Sequence, residues 1–295
     1  MNNLISQFLH YIERERHFSE RTASAYRHDL NKFAVFLESI EKTEVAAVTK
    51  ADVRTFLSLC SNTCGAYAYA RKLSSIKSFF KYLGREEIIE KNPVSDIEAP
   101  KLPEKEPSYL TESEYQNLIA TVRFRATPYY LSRDLAIVIL LLGTGIRLSE
   151  LVGLTLDRIN LESNDRNIKV CGKGNKERTI PLTSEVTSVL RQYLKQRPEV
   201  ESNHLFISRL GDELHARSVY GLIKKYLKAA SINKKVAVHA LRHTFGASML
   251  RSGANLVVIQ ALLGHKKLET TRRYLHINDI DLRNAVEKLV LSKPI

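Results

Sequence analysis

The chain has 295 residues, 44% of them apolar, which is enough for two domains with hydrophobic cores and favours a folded protein. Lys and Arg total 45 against 32 for Asp and Glu, a formal net charge of +13 at pH 7, so the expected partner is a polyanion, either nucleic acid or an anionic membrane. The longest apolar run, Leu135 to Leu142, is far too short to span a bilayer, and the amino-terminal residues show no signal peptide, so we expect a cytoplasmic protein.

Nearly all of the excess positive charge lies in the second part of the chain. Residues 1–100 contain 14 basic and 13 acidic residues, whereas residues 101–295 contain 31 and 19. Basic clusters recur there, so a surface that follows a phosphate backbone is a better interpretation than a merely soluble basic surface. The three cysteines show no disulfide pattern and no second pair of ligands, so we expect reduced thiols and no metal site.

Four amphipathic helices are predicted in the first part of the chain. Apolar residues recur at helical spacing from Leu4, after a candidate N-cap at Ser19, after Thr49, and from about Gly65. The fourth helix carries four cations with the reach to contact a DNA groove, namely Arg71, Lys72, Lys77 and Lys81. A solvated basic face is a nearly equal alternative for any one of them. We expect residues 1–92 to form this helical domain.

A proline-rich segment separates the two parts. Residues 93–108 contain four prolines among charged residues, and proline disfavours regular structure, so we predict an extended linker. Thr111 and Glu114 then have the spacing of a capping box, which predicts the first helix of a second domain at 109–295.

The second domain contains a continuous apolar helix, predicted over 131–142, that stops at Gly143. Arg147 follows near the start of a new helix, where a guanidinium and backbone N–H groups both favour a phosphate. Glu150, three residues further on, can orient that guanidinium as a supporting partner. On these residues alone, a surface Arg–Glu pair within one helix is the preferred interpretation.

Alternating apolar and polar residues between Asp157 and Leu182, interrupted by turn signals, predict a small antiparallel sheet. Lys173 lies at the tip of one predicted hairpin, where it can reach a bound phosphate. Its Gly-Lys-Gly sequence is weak by itself, because the other residues of a P-loop are missing. Lys176 and Arg178 in the same hairpin are candidates for DNA contacts.

Two helices are predicted after the sheet, around 184–196 and 216–230. The second carries Arg217 and Lys224, which are candidates for contacts in a major groove. A last helix, 279–291, has an apolar stripe that either closes the protein's own core or docks onto a neighbouring subunit.

The last quarter of the chain gathers residue types that suit phosphoryl chemistry. His239 and Arg242 are three residues apart, so on a helix they share a face and combine a proton carrier with a permanent cation. Gly264 is predicted to end a buried helix and to direct His265 away from the core. Tyr274 lies beside cations, which favour its ionised, nucleophilic form.

Four segments together resemble the tyrosine recombinase family, most closely its Xer-like branch: GTGIRLSELVGL, CGKGNKERTIPL, HALRH and LLGHKKLETTRRY. Two amino-terminal segments, SERTASAYRHDLNKFAVFL and RKLSSIKSFFKYL, resemble the SAM-like core-binding domain of that family. The resemblance implies a mainly α fold with a small antiparallel β-sheet in the C-terminal domain. It also implies that the two domains form a C-shaped clamp around DNA.

Six residues match the family's catalytic pattern: Arg147, Lys173, His239, Arg242, His265 and Tyr274. By this resemblance Tyr274 attacks the scissile phosphorus and forms a 3′-phosphotyrosyl bond, while Arg147 and Arg242 bind the non-bridging oxygens. Lys173 is the expected acid for the departing 5′-hydroxyl, and His239 is the expected proton acceptor near Tyr274. His265 is a further hydrogen-bond donor to phosphate. Neither ATP nor a metal is required as a cofactor.

The resemblance also implies the partners. The substrate is a double-stranded DNA recombination site, and strands are exchanged through a Holliday junction by a tetramer of identical chains or of this chain with a related recombinase. The subunits exchange helix 279–291, and an accessory DNA-bending or activating protein is left open. Resolution of chromosome or plasmid dimers, cointegrate resolution, and integration or excision of a mobile element all stay open.

Two other classes of protein explain part of the pattern. A non-catalytic, sequence-specific DNA-binding protein on the same fold accounts for the charge and the helices but gives Tyr274 no role. A metal-dependent nuclease can use His239, His243 and His265, but few acidic ligands lie near them in sequence. A covalent protein–DNA adduct that forms in EDTA distinguishes the recombinase from both.

Overall fold

The computed structural model describes residues 1–61, 64–100, 108–162, 164–172, 176–232, 238–265 and 271. The chain forms two compact units, Met1–Lys105 and Glu106–Ile295, and each has its own hydrophobic core. Among the described residues both units are mostly helical, and the second also contains a three-stranded antiparallel sheet. The predicted fold class is therefore confirmed.

Within its described residues, the first unit contains the four predicted α-helices. They are α1 (Asn2–Arg14), α2 (Glu20–Ser39), α3 (Lys50–Ser61) and α4 (Ala66–Arg85), with a 3₁₀ turn at Val45–Ala47. The Ser19 hydroxyl caps α2 by accepting from the backbone N–H of Thr22. The helices pack around aromatic side chains that are at most 1% exposed, namely Phe8, Phe33, Phe79 and Phe80.

The first unit extends beyond the boundary expected at residue 92. Val94 and Ile97 lie in the predicted linker 93–108, yet they are 1% and 7% exposed and pack in the core of the first unit. The linker therefore begins later than the proline content predicts, because burial of these two apolar side chains ties the segment to the helices. Residues 101–107 lie outside the described part of the chain.

The second unit contains seven α-helices within its described residues. They are α5 (Glu112–Arg125), α6 (Pro128–Thr144), α7 (Leu148–Val152), α8 (Ser184–Gln196), α9 (Ala216–Ala229), α10 (Val238–Arg251) and α11 (Leu256–Leu263), with a 3₁₀ turn at Leu156–Arg158. The predicted capping box is present, since Thr111 and Glu114 each accept from the other's backbone N–H. Helix α6 lies in the core, because residues 135–141 are all at most 7% exposed. The predicted helix 279–291 lies outside the described residues.

The sheet consists of β1 (Ile159–Asn160), β2 (Asn167–Cys171) and β3 (Glu177–Pro181), in that order and antiparallel. The register pairs Ile168 with Ile180 and Val170 with Arg178. Residues directly opposite each other in an antiparallel pair point to the same face of the sheet. Because Ile168, Val170 and Ile180 are all buried, the register places Arg178 on the buried face.

Candidate active site

Arg147 lies at the start of α7, directly after a left-handed turn at Gly145. Gly145 has a φ of 62°, and a Cβ there would lie 2.5 Å from the ring of Phe245, so this turn requires glycine. The backbone N–H of Arg147 donates to the Glu150 carboxylate at 2.7 Å, and its guanidinium donates to the same carboxylate at 2.8 Å. The Arg147 side chain is 32% exposed, so Glu150 orients a guanidinium that a phosphate can still reach.

Glu150 is shared by two arginines. Its side chain is 1% exposed, and Arg178 binds it through two hydrogen bonds of 2.8 and 2.9 Å. Burial by itself would raise the pKa of this carboxyl, but hydrogen bonds from Arg178 and Arg147 outweigh burial and lower the pKa to about 2. Glu150 is therefore ionised at neutral pH and acts as a fixed negative charge.

The end of α11 is the second place where arginines meet. Gly264 ends this helix with a φ of 63°, as its position in the sequence predicts. The last carbonyl groups of a helix have no helical partners, and here three successive ones accept from guanidiniums. Arg178 donates to Leu262 at 2.8 Å, Arg242 donates to Leu263, and Arg147 donates to Gly264 at 3.1 Å. These cations also oppose the negative end of the helix dipole, and they fix the segment that leads into His265.

Helix α10 contributes His239 and Arg242, which differ in exposure. Arg242 is 2% exposed and also donates to the Gly145 carbonyl at 2.7 Å. His239 is exposed, and its ring centroid lies 5.0 Å from that of His243 in an edge-to-face arrangement. The two residues are three positions apart on α10, but the imidazole of His239 lies at the surface and the guanidinium of Arg242 lies in the interior.

His265 directly follows Gly264, the last of the three residues whose carbonyls accept from arginines. Its Nδ1 lies 2.9 Å from the hydroxyl of Thr271, which is fully buried, and this contact fixes the imidazole plane. Helix α11 itself is less buried than its uniform apolar sequence predicts, because Val257 and Val258 are 63% and 48% exposed. Within the described residues, one side of this helix packs on the unit and the side that carries Val257 and Val258 is exposed.

Lys173 and Tyr274 lie outside the described residues. Gly172, directly before Lys173, lies close to Glu150 and Arg178. A Cβ on Gly172 would lie 3.6 Å from Oε1 of Glu150 and 3.7 Å from Nη1 of Arg178. The base of the hairpin that carries Lys173 is therefore next to the carboxylate that orients Arg147.

The candidate DNA-binding cations of the first unit are not equivalent. Arg71 pairs with Asp29, which is fully buried, and Lys72 lies 4.0 Å from the same carboxylate. Lys72 is only 8% exposed beside the buried carboxylate of Asp29, which disfavours a DNA contact, and its expected place in a DNA groove stays a prediction. Lys77 is partly buried and Lys81 is exposed.

In the second unit Lys176, Arg217 and Lys224 are exposed, as a DNA contact requires. Arg178 is different, since its side chain is 14% exposed and its guanidinium is bonded to Glu150 and Leu262. This geometry favours an internal role for Arg178, and its expected contact with DNA stays a prediction. Sequence reasoning missed its internal role, although the two-residue spacing from the apolar Ile180 indicates the same face of β3.

The described ranges contain no membrane-spanning helix, no cluster of metal ligands and no disulfide. No helix there is long and apolar enough to cross a membrane. No group of three or more His, Cys, Asp or Glu side chains in these ranges is placed to hold a metal ion. Cys60, Cys64 and Cys171 are not joined by disulfides.

Comparisons with known proteins assign each of the two parts of the chain to a known domain family. The N-terminal SAM-like domain of phage integrases matches residues 5–87, and the phage integrase family matches residues 108–280. The chain is 34% identical over 292 residues to tyrosine recombinase XerC of Listeria welshimeri, covering 97% of this chain and 96% of that protein. It is also 34% identical over 289 residues to tyrosine recombinase XerD of Staphylococcus saprophyticus, covering 96% and 97%.

A solved structure extends the comparison of folds. The XerH site-specific recombinase bound to its palindromic difH DNA superposes with a TM-score of 0.79 at 20% sequence identity, covering 96% of this chain and 84% of that one. A SAM-like helical domain followed by an integrase domain defines an enzyme that exchanges DNA strands. The chain belongs to the phage integrase family, and it is a tyrosine recombinase that performs site-specific DNA recombination. The XerC and XerD relatives match it equally well.

Proposed function

We propose that the chain cuts and rejoins DNA through a covalent bond to Tyr274. The phenol oxygen attacks the scissile phosphorus, a 3′-phosphotyrosyl bond forms, and the 5′-oxygen leaves with a proton. Attack of a 5′-hydroxyl from the partner duplex reverses these steps and restores the phosphodiester. The covalent bond conserves the energy of the broken linkage, so the cycle requires neither ATP nor a metal.

Arg147 and Arg242 are proposed to bind the non-bridging oxygens and to stabilise the negative charge of the pentavalent transition state. The observation that carries this proposal is their convergence on Leu263 and Gly264, two adjacent carbonyls directly before His265. Loss of one such donor commonly lowers the rate on the order of a hundredfold. Since Arg242 is 2% exposed, its contact with a phosphate requires a local movement when DNA binds.

The remaining roles concern protons. We propose Lys173 as the acid that protonates the departing 5′-oxygen, and His239, which is exposed, as the acceptor of the Tyr274 proton. His265 donates a hydrogen bond to the phosphate, and Glu150 orients the arginines without touching the substrate. The low pKa of Glu150 supports this assignment, because a carboxyl with a pKa of about 2 cannot donate a proton at neutral pH.

DNA contacts outside the reaction centre are proposed for exposed cations. On α9, Arg217 and Lys224 lie seven residues apart and are both exposed, while Val219 and Ile223 between them are buried. This arrangement gives one basic helix face that suits a major groove. Lys81 of the first unit and Lys176 of the hairpin are exposed and are proposed as further contacts to the phosphate backbone.

We propose that recombination occurs in a tetramer bound to two duplexes and passes through a Holliday junction. The subunits are identical or alternate with a related recombinase, and segment 279–291 docks onto the neighbour. The equal identity to XerC and XerD relatives supports either assembly. Because its substrate is DNA, the protein is proposed to act in the cytoplasm. An activating or DNA-bending protein, and the choice among dimer resolution, cointegrate resolution and mobile-element exchange, are matters for experiment.

The test uses a candidate recombination site with a nick near the cleavage position, so that the short 5′-hydroxyl fragment diffuses away and rejoining is prevented. Wild type and Tyr274→Phe are incubated with this DNA in EDTA. We expect a protein–DNA adduct that survives denaturant with wild type only. Site-specific binding without an adduct, even after addition of candidate partner recombinases, would instead identify a non-catalytic DNA-binding protein.

A further inference from the structure

Arg178 contacts several segments of the proposed active site, although no catalytic role is assigned to it. We propose that Arg178 is a positioning residue, which fixes Arg147 and His265 for strand cleavage through Glu150 and through the end of α11, and that it does not bind DNA. This inference rests on the roles proposed above for Arg147 and His265.

The first connection runs through Glu150 to Arg147. Nη1 and Nη2 of Arg178 donate to the two oxygens of Glu150 at 2.8 and 2.9 Å, and the same carboxylate accepts from the Arg147 guanidinium at 2.8 Å. A carboxylate bonded in this paired geometry cannot rotate without breaking two charged hydrogen bonds. Arg178 therefore determines the orientation in which Glu150 holds Arg147.

The second connection runs through the backbone to His265. Nε of Arg178 donates to the Leu262 carbonyl at 2.8 Å, three residues before His265. Gly264, which lies between them, leaves room for this side chain, since a Cβ there would be 3.0 Å from Nη1 of Arg178. The guanidinium thus uses all three of its nitrogens to join α7 to the end of α11.

The third connection is to the hairpin on which Lys173 lies. Arg178 belongs to β3 and pairs with Val170 of β2. Beyond this pair, the Gly172 N–H donates to the Lys176 carbonyl at 2.8 Å and continues the contact between the two strands. The hairpin is therefore attached to Glu150 and α11 by the Arg178 side chain. Loss of this side chain should loosen the base of the hairpin as well.

An arginine is required for these connections. A lysine can supply the positive charge, but its single ammonium cannot donate in parallel to both oxygens of Glu150 and also reach Leu262 in the same plane. Arg178→Lys should therefore retain part of the function, and Arg178→Gln should retain less. A misplacement of reacting groups by about 1 Å commonly lowers a rate about a hundredfold.

The experiment measures single-turnover cleavage of the nicked DNA at saturating protein, together with Kd at several salt concentrations. We expect Arg178→Gln to lower the cleavage rate about a hundredfold, with Arg178→Lys intermediate, while Kd and its salt dependence stay as in wild type. A phosphate contact behaves in the opposite way: binding weakens, the salt slope falls by about 1, and cleavage at saturation is unchanged. That second pattern would overturn the proposal.

A matched control separates positioning from general damage to the fold. Arg197 also donates to several backbone carbonyls, those of Pro198, Ser202, His204 and Leu205, but it contacts none of the proposed catalytic residues in the described part of the chain. Arg197→Gln should leave the cleavage rate at saturation unchanged. If it slows cleavage as much as Arg178→Gln, the effect of Arg178 is only structural and the positioning role is rejected.

Two further readouts address action through Glu150. The double variant Glu150→Gln with Arg178→Gln should lose much less activity than the product of the single losses, whereas independent effects would multiply. In Arg178→Gln the cleavage rate relative to wild type should fall as the pH is lowered towards 4.5, the ordinary pKa of a Glu carboxyl. Multiplied losses with a constant ratio over pH contradict the proposal. The adduct formed by wild type in the same assay tests the proposed function separately.

Discussion

Each unit contains a buried carboxylate with two cations beside it, Asp29 in the first unit and Glu150 in the second, and the two arrangements differ in how completely the negative charge is satisfied. In the second unit, both oxygens of Glu150 accept hydrogen bonds from Arg147 and Arg178. In the first unit, Asp29 accepts from Arg71 on one oxygen, but among the described residues its Oδ1 has no hydrogen-bond partner and only approaches Lys72 at 4.0 Å. The side chains of Asp29 and Glu150 are 0% and 1% exposed, but the carboxylate of Asp29 accepts fewer hydrogen bonds from cations than that of Glu150.

The pKa values of the two groups shift in opposite directions for this reason. Burial is the largest influence on each and raises both. For Asp29 burial outweighs the attraction of Arg71 and Lys72, so the pKa is raised above the ordinary value of 3.8. For Glu150 the hydrogen bonds outweigh burial, and the pKa falls to about 2. The number and alignment of the donors, and not the depth of burial, decide which protonation state the fold stabilises.

The difference matches what each site is proposed to do. A fixed negative charge at Glu150 gives Arg147 a constant orientation for a transition state that forms within a narrow geometry. Arg71 has a side chain that is 40% exposed, so it can share its charge between Asp29 and solvent or a phosphate.

The largest expected effect comes from Glu150→Gln. Removing one member of a buried charge cluster commonly costs about 3–5 kcal/mol, because the remaining charges lose their partner. We expect the free energy of unfolding to fall by this amount and single-turnover cleavage to fall about a hundredfold. Because the chain has no tryptophan, unfolding in urea is followed by far-UV circular dichroism.

The matched control for that variant is Glu177→Gln. Glu177 pairs with Arg158 at 3.0 Å, but its side chain is 55% exposed, and exposed ion pairs contribute at most about 1 kcal/mol. If Glu150→Gln destabilises the protein no more than this control, the comparison between satisfied and unsatisfied buried charges fails.

The pH dependence of stability is the next largest effect. The folded-state pKa of Glu150 is about 2 against 4.5 for the ordinary carboxyl, so its contribution is fully present above 4.5 and is lost as the pH falls towards 2. A difference of this size corresponds to about 3 kcal/mol. The free energy of unfolding measured from pH 6 downwards should fall less steeply in Glu150→Gln than in wild type. Parallel curves would show that the folded protein does not hold Glu150 ionised.

Gly264→Ala should have a smaller effect that tests the end of α11. The φ of 63° costs a residue with a side chain about 1–2 kcal/mol, and the new Cβ would meet Arg178 at 3.0 Å. We expect a loss of stability in that range and slower cleavage, with DNA affinity unchanged. Gly253→Ala is the matched control, because its φ is 81° but a Cβ there has no neighbour within 4 Å. Equal cleavage rates in the two variants would contradict the role of the Arg178 contact.

Much of this architecture was predictable from local sequence, because helices and strands are specified by nearby residues. The apolar spacing predicted the four helices of the first unit, the alternation after Asp157 predicted the sheet, and Gly264 predicted the end of α11. Motif resemblance then predicted the family, which the comparisons confirm.

What was not predictable depends on contacts between distant residues. Arg178 belongs to a run of exposed-looking cations, and although its spacing from Ile180 indicates the buried face of β3, its pairing with Glu150, 28 residues earlier, depends on the packing of the sheet against α7. Lys72 was expected in a DNA groove because nothing in the local sequence indicates the partner, Asp29 on another helix. The burial of Val94 within a proline-rich segment likewise depends on the helices that it covers.

The smallest expected effect is that of Asp29→Asn, and its sign distinguishes the two buried carboxylates. The folded-state pKa of Asp29 is raised, so its contribution to stability is fully present below the ordinary value of 3.8 and is lost as the pH rises through the folded-state value. The replacement removes a carboxyl whose Oδ1 has no hydrogen-bond partner among the described residues, while the amide oxygen can still accept from Arg71. We expect a change within about 1 kcal/mol of wild type, against several for Glu150→Gln. Urea unfolding at pH 7 and pH 4 measures both, and the stability of wild type relative to Asp29→Asn should increase at the lower pH. A loss of several kcal/mol at pH 7 would mean that Arg71 and Lys72 compensate Asp29 as fully as two arginines compensate Glu150.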